Sequence, residues 1–402
     1  MGKIKLLLFV WIAILVTAGC GNVRVPRTLH PCTNLDQPKP FESIKRFKGS
    51  LLFEDNLSIV ATSSTSSKEL FTLEPGGTWE IAGLNPSGEW FAYQDYPSSS
   101  EPPLLHLISY RGEQMTIHID PYQGGGPLRP LWWVNDKTLL MIGEGAPIAF
   151  LDAFAGSWLL ELVNDLPNRA PDTGIALSPD LKRALYVLDS GDKTYLPLVL
   201  WDFEQRKEVW RADKSFSFSA FLKLPGLGNT SWSPDSTVVA FTLDRNKDYP
   251  SELLFKQRMY LVDARTGELL EFRTEAKDNR ARTFTWSPDG RYIAIVTGLL
   301  RDTEHPGITI YNLKTDVATD LCPMRKLDPW FFDQATGNID TGNLAWSPDS
   351  RYLVFGQGKD DLSEDNRISM LDIYTGEVTV LKEGPRVRFI GWSPYDWTKP
   401  EK

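Results

Sequence analysis

One phrase constrains this chain more than any other. Residues 283–296 read TFTWSPDGRYIAIV, two apolar β-rich runs separated by Ser287-Pro288-Asp289-Gly290. Proline presets φ for the first corner of a turn, aspartate hydrogen-bonds its own backbone, and glycine accepts positive φ. Two such runs about such a turn predict a hairpin. The phrase then returns. NTSWSPDSTVVAFTL begins at Asn229, NLAWSPDSRYLVFGQ at Asn343 and GIALSPDLKRALYVL at Gly174. Looser copies are GLNPSGEWFAYQ from Gly83 and LWWVNDKTLLMI from Leu131, and a truncated one, VRFIGWSPYDW, starts at Val387.

A second hairpin follows most copies. Met259-Tyr260-Leu261-Val262-Asp263 leads through Arg265-Thr266-Gly267 to Glu268-Leu269-Leu270, and the pattern returns at Ile368-Ser369-Met370-Leu371-Asp372 with Thr375-Gly376-Glu377. Each repeat therefore predicts four short strands, A to D. Pro86, Asn135, Pro179, Pro234, Pro288, Pro348 and Pro394 mark the A–B turns, 44 to 60 residues apart. Four strands at a period near or above about 40–45 residues is the pattern of a β-propeller blade. At the carboxyl end, residues 387–392 make an A strand with nothing after it, while runs at 51–53, 57–61 and 70–73 have no such turn ahead of them. Joining one strand to three closes a ring of seven blades and leaves no unpaired interior blade edge. The expected fold is all-β, a seven-bladed propeller over residues 49–402.

The phrases Trp232-Ser233-Pro234-Asp235, Trp286-Ser287-Pro288-Asp289-Gly290 and Trp346-Ser347-Pro348-Asp349, with the L-x-D-x-x-T-G-E hairpin, resemble the WD-repeat-related blades of TolB-like bacterial propellers. The resemblance spans roughly residues 49–397 and implies the fold. It implies no particular partner, because such blades serve many proteins, and a separate amino-terminal domain like the one TolB carries is not expected.

Ahead of the repeats, Lys3 and Lys5 precede an apolar run over residues 6–16, followed by Thr17-Ala18-Gly19-Cys20. This is short for a membrane span and has the layout of a signal peptide, residues 1–19. Its ending resembles a bacterial lipobox, with Thr17 where leucine is commoner. That resemblance implies cleavage before Cys20, lipidation of Cys20, and an extracytoplasmic protein held to the bacterial cell membrane by its lipid. An uncleaved anchor or plain secretion stays open. Residues 20–48 carry Pro26, Pro31, Pro38 and Pro40 without periodicity and read as a semi-extended tether. With Cys20 lipidated, Cys32 and Cys322 are the two remaining thiols, and in a disulfide-permissive compartment they are expected to pair.

The 402-residue chain has a formal charge of −9 and no basic stripe, which argues against nucleic acid as a partner. There is no G-x-S-x-G or H-E-x-x-H, and the four histidines (His30, His106, His118, His305) lie far apart, so neither a metal nor a cofactor is expected. Asp244-Arg245-Asn246-Lys247-Asp248 starts like a calcium loop, but Tyr249 stands where glycine is needed and Phe255 where glutamate is. The turn aspartates read as turn formers, and Trp232, Trp286, Trp346 and Trp392 as packing between blades.

Strand direction sorts the loops. A–B and C–D turns share one face, with tight SPDG and TGE turns. B–C and D–A connections share the other, which holds the long loops at 121–130, 164–173, 213–228 and 323–342. Long loops on a rigid scaffold are where binding concentrates. The B–C loops are acidic, whereas Arg129, Arg282, Arg386 and Arg388 fall near the starts of A strands, at the channel mouth. These arginines either attract a small anionic group or pair with the acidic loops. Phe216, Phe218 and Phe221, and Trp330-Phe331-Phe332, form a contact surface or fold back as their loops' own core. The expected function is a non-enzymatic binding module of the cell envelope, for an envelope protein or a glycan. The competing class is a glycan lyase or glycosidase at the channel mouth, which for a glycosidase needs two carboxylates about 5–9 Å apart.

Overall fold

The computed structural model describes residues 28–33, 37–41, 47–73, 78–96, 103–119, 128–143, 148–170, 174–191, 197–212, 216–217, 230–245, 257–271, 281–297, 306–323, 332–333, 338–339, 344–358, 365–385 and 387–399. They form seven antiparallel blades, each built on four strands in the order A-B-C-D. The A strands are Thr78–Leu84, Leu128–Trp133, Ile175–Leu177, Thr230–Trp232, Ala281–Trp286, Leu344–Trp346 and Val387–Ser393, for blades 1 to 7. They neighbour one another across most seams, which places them innermost.

The turn chemistry read from the repeat operates as expected. In blade 5 the Ser287 hydroxyl donates to Asp289 Oδ1 at 2.7 Å and accepts from the Tyr292 amide at 2.9 Å, while Asp289 Oδ1 accepts from the Arg291 amide at 3.1 Å. Gly290 takes φ +67°, the left-handed conformation that only glycine adopts without steric cost. Ser236 and Ser350 hold the same position in blades 4 and 6 at φ +60° and +56°, and each hydroxyl is engaged by the turn of the preceding blade, accepting from the Asp180 and Asp289 amides respectively.

Blade 7 closes the ring as the unmatched strands predict. Val387–Ser393 pairs antiparallel with Ser50–Asp55, with Trp392 opposite Leu51 and Phe389 opposite Phe53, and Ser58–Ser63 and Ser67–Thr72 complete the sheet. The buried apolar clusters lie between blades rather than within them. One joins Leu185, Val187, Leu198 and Leu200 of blade 3 to Trp232, Val239, Phe241 and Val262 of blade 4.

A tryptophan ending the A strand closes most seams. Its indole N–H donates to a carbonyl on the A strand of the preceding blade: Trp133 to Gly83, Trp232 to Ala176, Trp286 to Ser231 and Trp346 to Thr285, all within 3.0–3.2 Å. In blade 7, Trp392 donates instead to Lys48 at 3.0 Å and meets the Phe47 ring edge-on. A buried polar atom thus gains a partner in the same place where a large ring fills the gap.

Over its described part the Pro-rich segment is laid along the outside of blades 5 and 6. The His30 amide donates to Ile373, the Cys32 amide to Leu321 and the Thr33 amide to Gly376. Lys39–Pro40 then adds a parallel strand against Thr379 and Val380 of blade 6. A Cβ on Gly376 would overlap the Pro31 carbonyl, so glycine in this C–D turn also admits the segment. Cys32 and Cys322 are bonded, with Cα atoms 5.2 Å apart, within the usual span of a disulfide. The paired amides hold the segment there, because edge backbone groups on a blade offer a proline-rich chain partners that water would otherwise supply.

Candidate functional site

Two places in the central channel combine shape with chemistry. The first is the mouth on the long-loop face. Arg129, at the start of the blade 2 A strand, is half-buried and forms an ion pair with Glu80 of blade 1 at 3.3 Å. Beside them the Tyr96 hydroxyl is pushed well above its ordinary value, by burial first and then by the Glu80 carboxylate, with Arg129 opposing. Fully buried Gln94 donates through Nε2 to the Leu128 carbonyl at 2.7 Å, and among the described residues its Oε1 has no hydrogen-bond partner. In blade 7, next to blade 1, Arg388 lies 3.8 Å from Glu54, and farther out Lys382 of the blade 6 D strand lies 2.6 Å from Asp55. The basic residues described at the mouth are therefore charge-compensated. Their carboxylates come from strands of the same or a neighbouring blade, not from the long acidic B–C loops.

The other expected site residues are distributed as follows. Arg282 lies in the blade 5 A strand, with its side chain outside the described residues. Phe332 begins a two-residue strand paired with Asn338–Ile339, its side chain likewise outside them. Cys20, Arg386, Trp330 and Phe331 lie outside the described residues altogether. Of the four long loops, the one after blade 2 folds back onto the body. Leu162 and Leu166, in and just after the short helix Glu161–Asn164, are buried against Phe150 and Tyr186, and the Tyr186 hydroxyl donates to Pro167 at 3.1 Å. Among the described residues there is no group of three or more His, Cys, Asp or Glu side chains placed to hold a metal ion.

The second place went unrecognised in the sequence. A cavity of about 190 Å³ lies between blades 2 and 3, lined by Trp132, Trp133, Leu140, Phe150, Leu177 and Trp232 among others. Repeat 3 reads Leu-Ser-Pro-Asp where repeats 4 to 6 read Trp-Ser-Pro-Asp, so Leu177 stands where an indole closes most of the other seams. Leu177 faces Leu140 and Phe150 of blade 2 and is too small to reach across. Trp132 is 36% exposed, one of three large hydrophobic residues so exposed among those described. The signal was available in the loss of one tryptophan from the repeat, but its consequence depends on which blade that residue faces.

No family model and no curated protein sequence matches the chain. Solved structures resemble it in fold. An oligogalacturonate lyase from Vibrio parahaemolyticus shares 12% identity at a TM-score of 0.52, covering 83% of this chain and 86% of that one. An oligogalacturonate lyase in complex with manganese shares 12% identity at 0.51, covering 85% and 84%. TolB from Acinetobacter baumannii shares 14% identity at 0.42, covering 85% of this chain and 67% of that one. At such identities the likeness is one of fold alone.

Proposed function

We propose that this protein is a lipid-anchored, extracytoplasmic propeller that acts as a non-enzymatic binding module of the cell envelope. The disulfide is the observation that carries the compartment. Two cysteines 290 residues apart meet at the outer edge of blade 5, and such bonds persist in oxidising surroundings. The amino-terminal apolar run ending at Cys20 supports the anchor. The strapping of residues 28–33 and 37–41 to blades 5 and 6 supports a body held on a short, directed tether.

An envelope protein or glycan engages the long-loop face in this reading, through Arg129, Arg282 and Arg386 and through Trp330, Phe331 and Phe332. The support is the contrast between the faces. The A–B turns are locked by their own hydrogen bonds and by bonds to the next blade, whereas long loops on a rigid scaffold are where binding residues concentrate.

The test is crosslinked purification from the native envelope. Wild type is expected to retain a partner mapped to the long-loop face, and Trp330→Ala to weaken it while the ring melts unchanged. For an anionic partner, Arg282→Glu weakens binding and flattens its salt dependence. Cys20→Ser is expected to release the body from membranes. A footprint confined to the tight-turn face refutes the proposal, as does turnover of a glycan by the purified protein.

A further inference from the structure

The gap between blades 2 and 3 points to a ligand of a different kind, at the other end of the channel and independent of the partner proposed above. We infer that this cavity is a binding site for a neutral, single-ring aromatic group, admitted because Leu177 replaces the tryptophan that closes equivalent seams.

Size is the first argument. About 190 Å³ falls below the range of about 300–1,000 Å³ typical of drug-sized ligands, yet a dry apolar cavity of about 150 Å³ accommodates benzene. The space is that of one ring. Lining is the second. Trp132, Trp133, Leu140, Phe150 and Leu177 supply flat or branched apolar surface beside polar atoms that make up the larger part of the exposed lining; no lining side chain is charged, and besides the indole N–H groups the polar side chains are the hydroxyls of Thr230 and Ser231. A charged ligand would lose its water without a counter-charge, and a sugar would leave most of its hydroxyls unpaired. A ring with at most one hydroxyl loses neither. Access is the third. The wall is built from three successive A strands, so the cavity faces the channel, and Trp132 is exposed at its edge.

The comparison with blade 1 shows that the gap is not the inevitable result of losing the indole. Blade 1 also lacks it, having Leu84 at this position. There the carboxyl-terminal tail compensates: Trp397, 3% exposed, donates its indole N–H to Gly88 at 3.3 Å, and Tyr395 stacks on Tyr110 at 4.1 Å between ring centroids. Among the described residues no equivalent plug enters the seam between blades 2 and 3. The repeat also specifies what would fill it. In four seams the indole donates to the carbonyl of the residue just before the equivalent aromatic or leucine position of the preceding blade. A Leu177→Trp side chain would therefore meet the Trp132 carbonyl and occupy the cavity itself.

Phenol titrated against the full protein, followed by saturation-transfer NMR, tests this. Wild type is expected to bind phenol saturably with Kd on the order of 1 mM, attainable for about seven non-hydrogen atoms. Leu177→Trp is expected to weaken binding at least about tenfold, and to melt no lower than wild type. Leu177→Phe provides the same comparison if the larger ring disturbs folding. Benzoate and glucose are expected not to compete. Absence of saturable phenol binding overturns the assignment. So does binding left unchanged in whichever of the two filling variants folds, or displacement of phenol by glucose or benzoate.

Discussion

The seam between blades 4 and 5 and the seam between blades 2 and 3 are built from the same repeat and end differently. In the first, Trp286 is 6% exposed, fills the gap and donates to Ser231 at 3.1 Å. In the second, Leu177 is buried at 4% but leaves a cavity of about 190 Å³ beside it. One side chain separates a sealed joint from an open one. A propeller is a ring of near-identical joints, and its stability is approximately a sum over blades and their interfaces. A weak joint can therefore persist while the others hold the ring, and it is there that the fold has room for a ligand.

The largest effect is expected from breaking the ring where it closes. Deleting residues 387–402 removes the A strand of blade 7 and the Trp397 plug together, exposing the edge of Ser50–Asp55. Loss of the cooperative thermal transition, read by circular dichroism, is the expected result, and a native melt would show that closure is dispensable.

Opening a sealed joint comes next. Trp286→Ala is expected to cost about 3–5 kcal/mol, whereas Leu177→Ala, in a joint already open, falls near the lower end of about 2–5 kcal/mol. Urea denaturation of both variants measures the difference directly. Equal costs would mean that the two seams are energetically alike despite their geometry. Trp397→Ala should make the seam between blades 7 and 1 resemble the one between blades 2 and 3, at a cost of about 3 kcal/mol. A new phenol site in that variant would sharpen the comparison further.

The smallest effect concerns the turns. Burial alone would raise the Asp289 carboxyl, but hydrogen bonds from Arg291 and Ser287 outweigh it and hold the group below its ordinary 3.8. A carboxyl depressed on folding contributes stability that is present above its unfolded value and is lost as pH falls through the folded one. Stability should therefore decline as the medium is acidified below about pH 4, and Asp289→Asn should reduce that decline while leaving the profile near neutrality almost parallel. Asp235 is held down likewise, by Ser233 and Thr237 against burial, so a single variant removes only part of the slope.

The four-strand period, the SPDG turns and the unpaired ends determined the propeller, its blade number and its closure. These rest on local chemistry: a proline, an aspartate and a left-handed residue act within a few bonds of one another, and alternating apolar strands admit one inward face. The tryptophan positions were legible as packing for the same reason. What lies across a seam was not. Arg129 pairs with Glu80 49 residues away, and Trp392 bonds Lys48 across the ring closure. The proline-rich segment shows no periodicity, yet it finds blade-edge partners 338 to 343 residues later in the chain. The cavity beside Leu177 is the clearest case. The missing indole is written in the sequence at residue 177, as it is at residue 84. Only the tertiary structure decides that one vacancy is plugged by Trp397 and the other stands open, because filling a gap depends on which distant side chain reaches it.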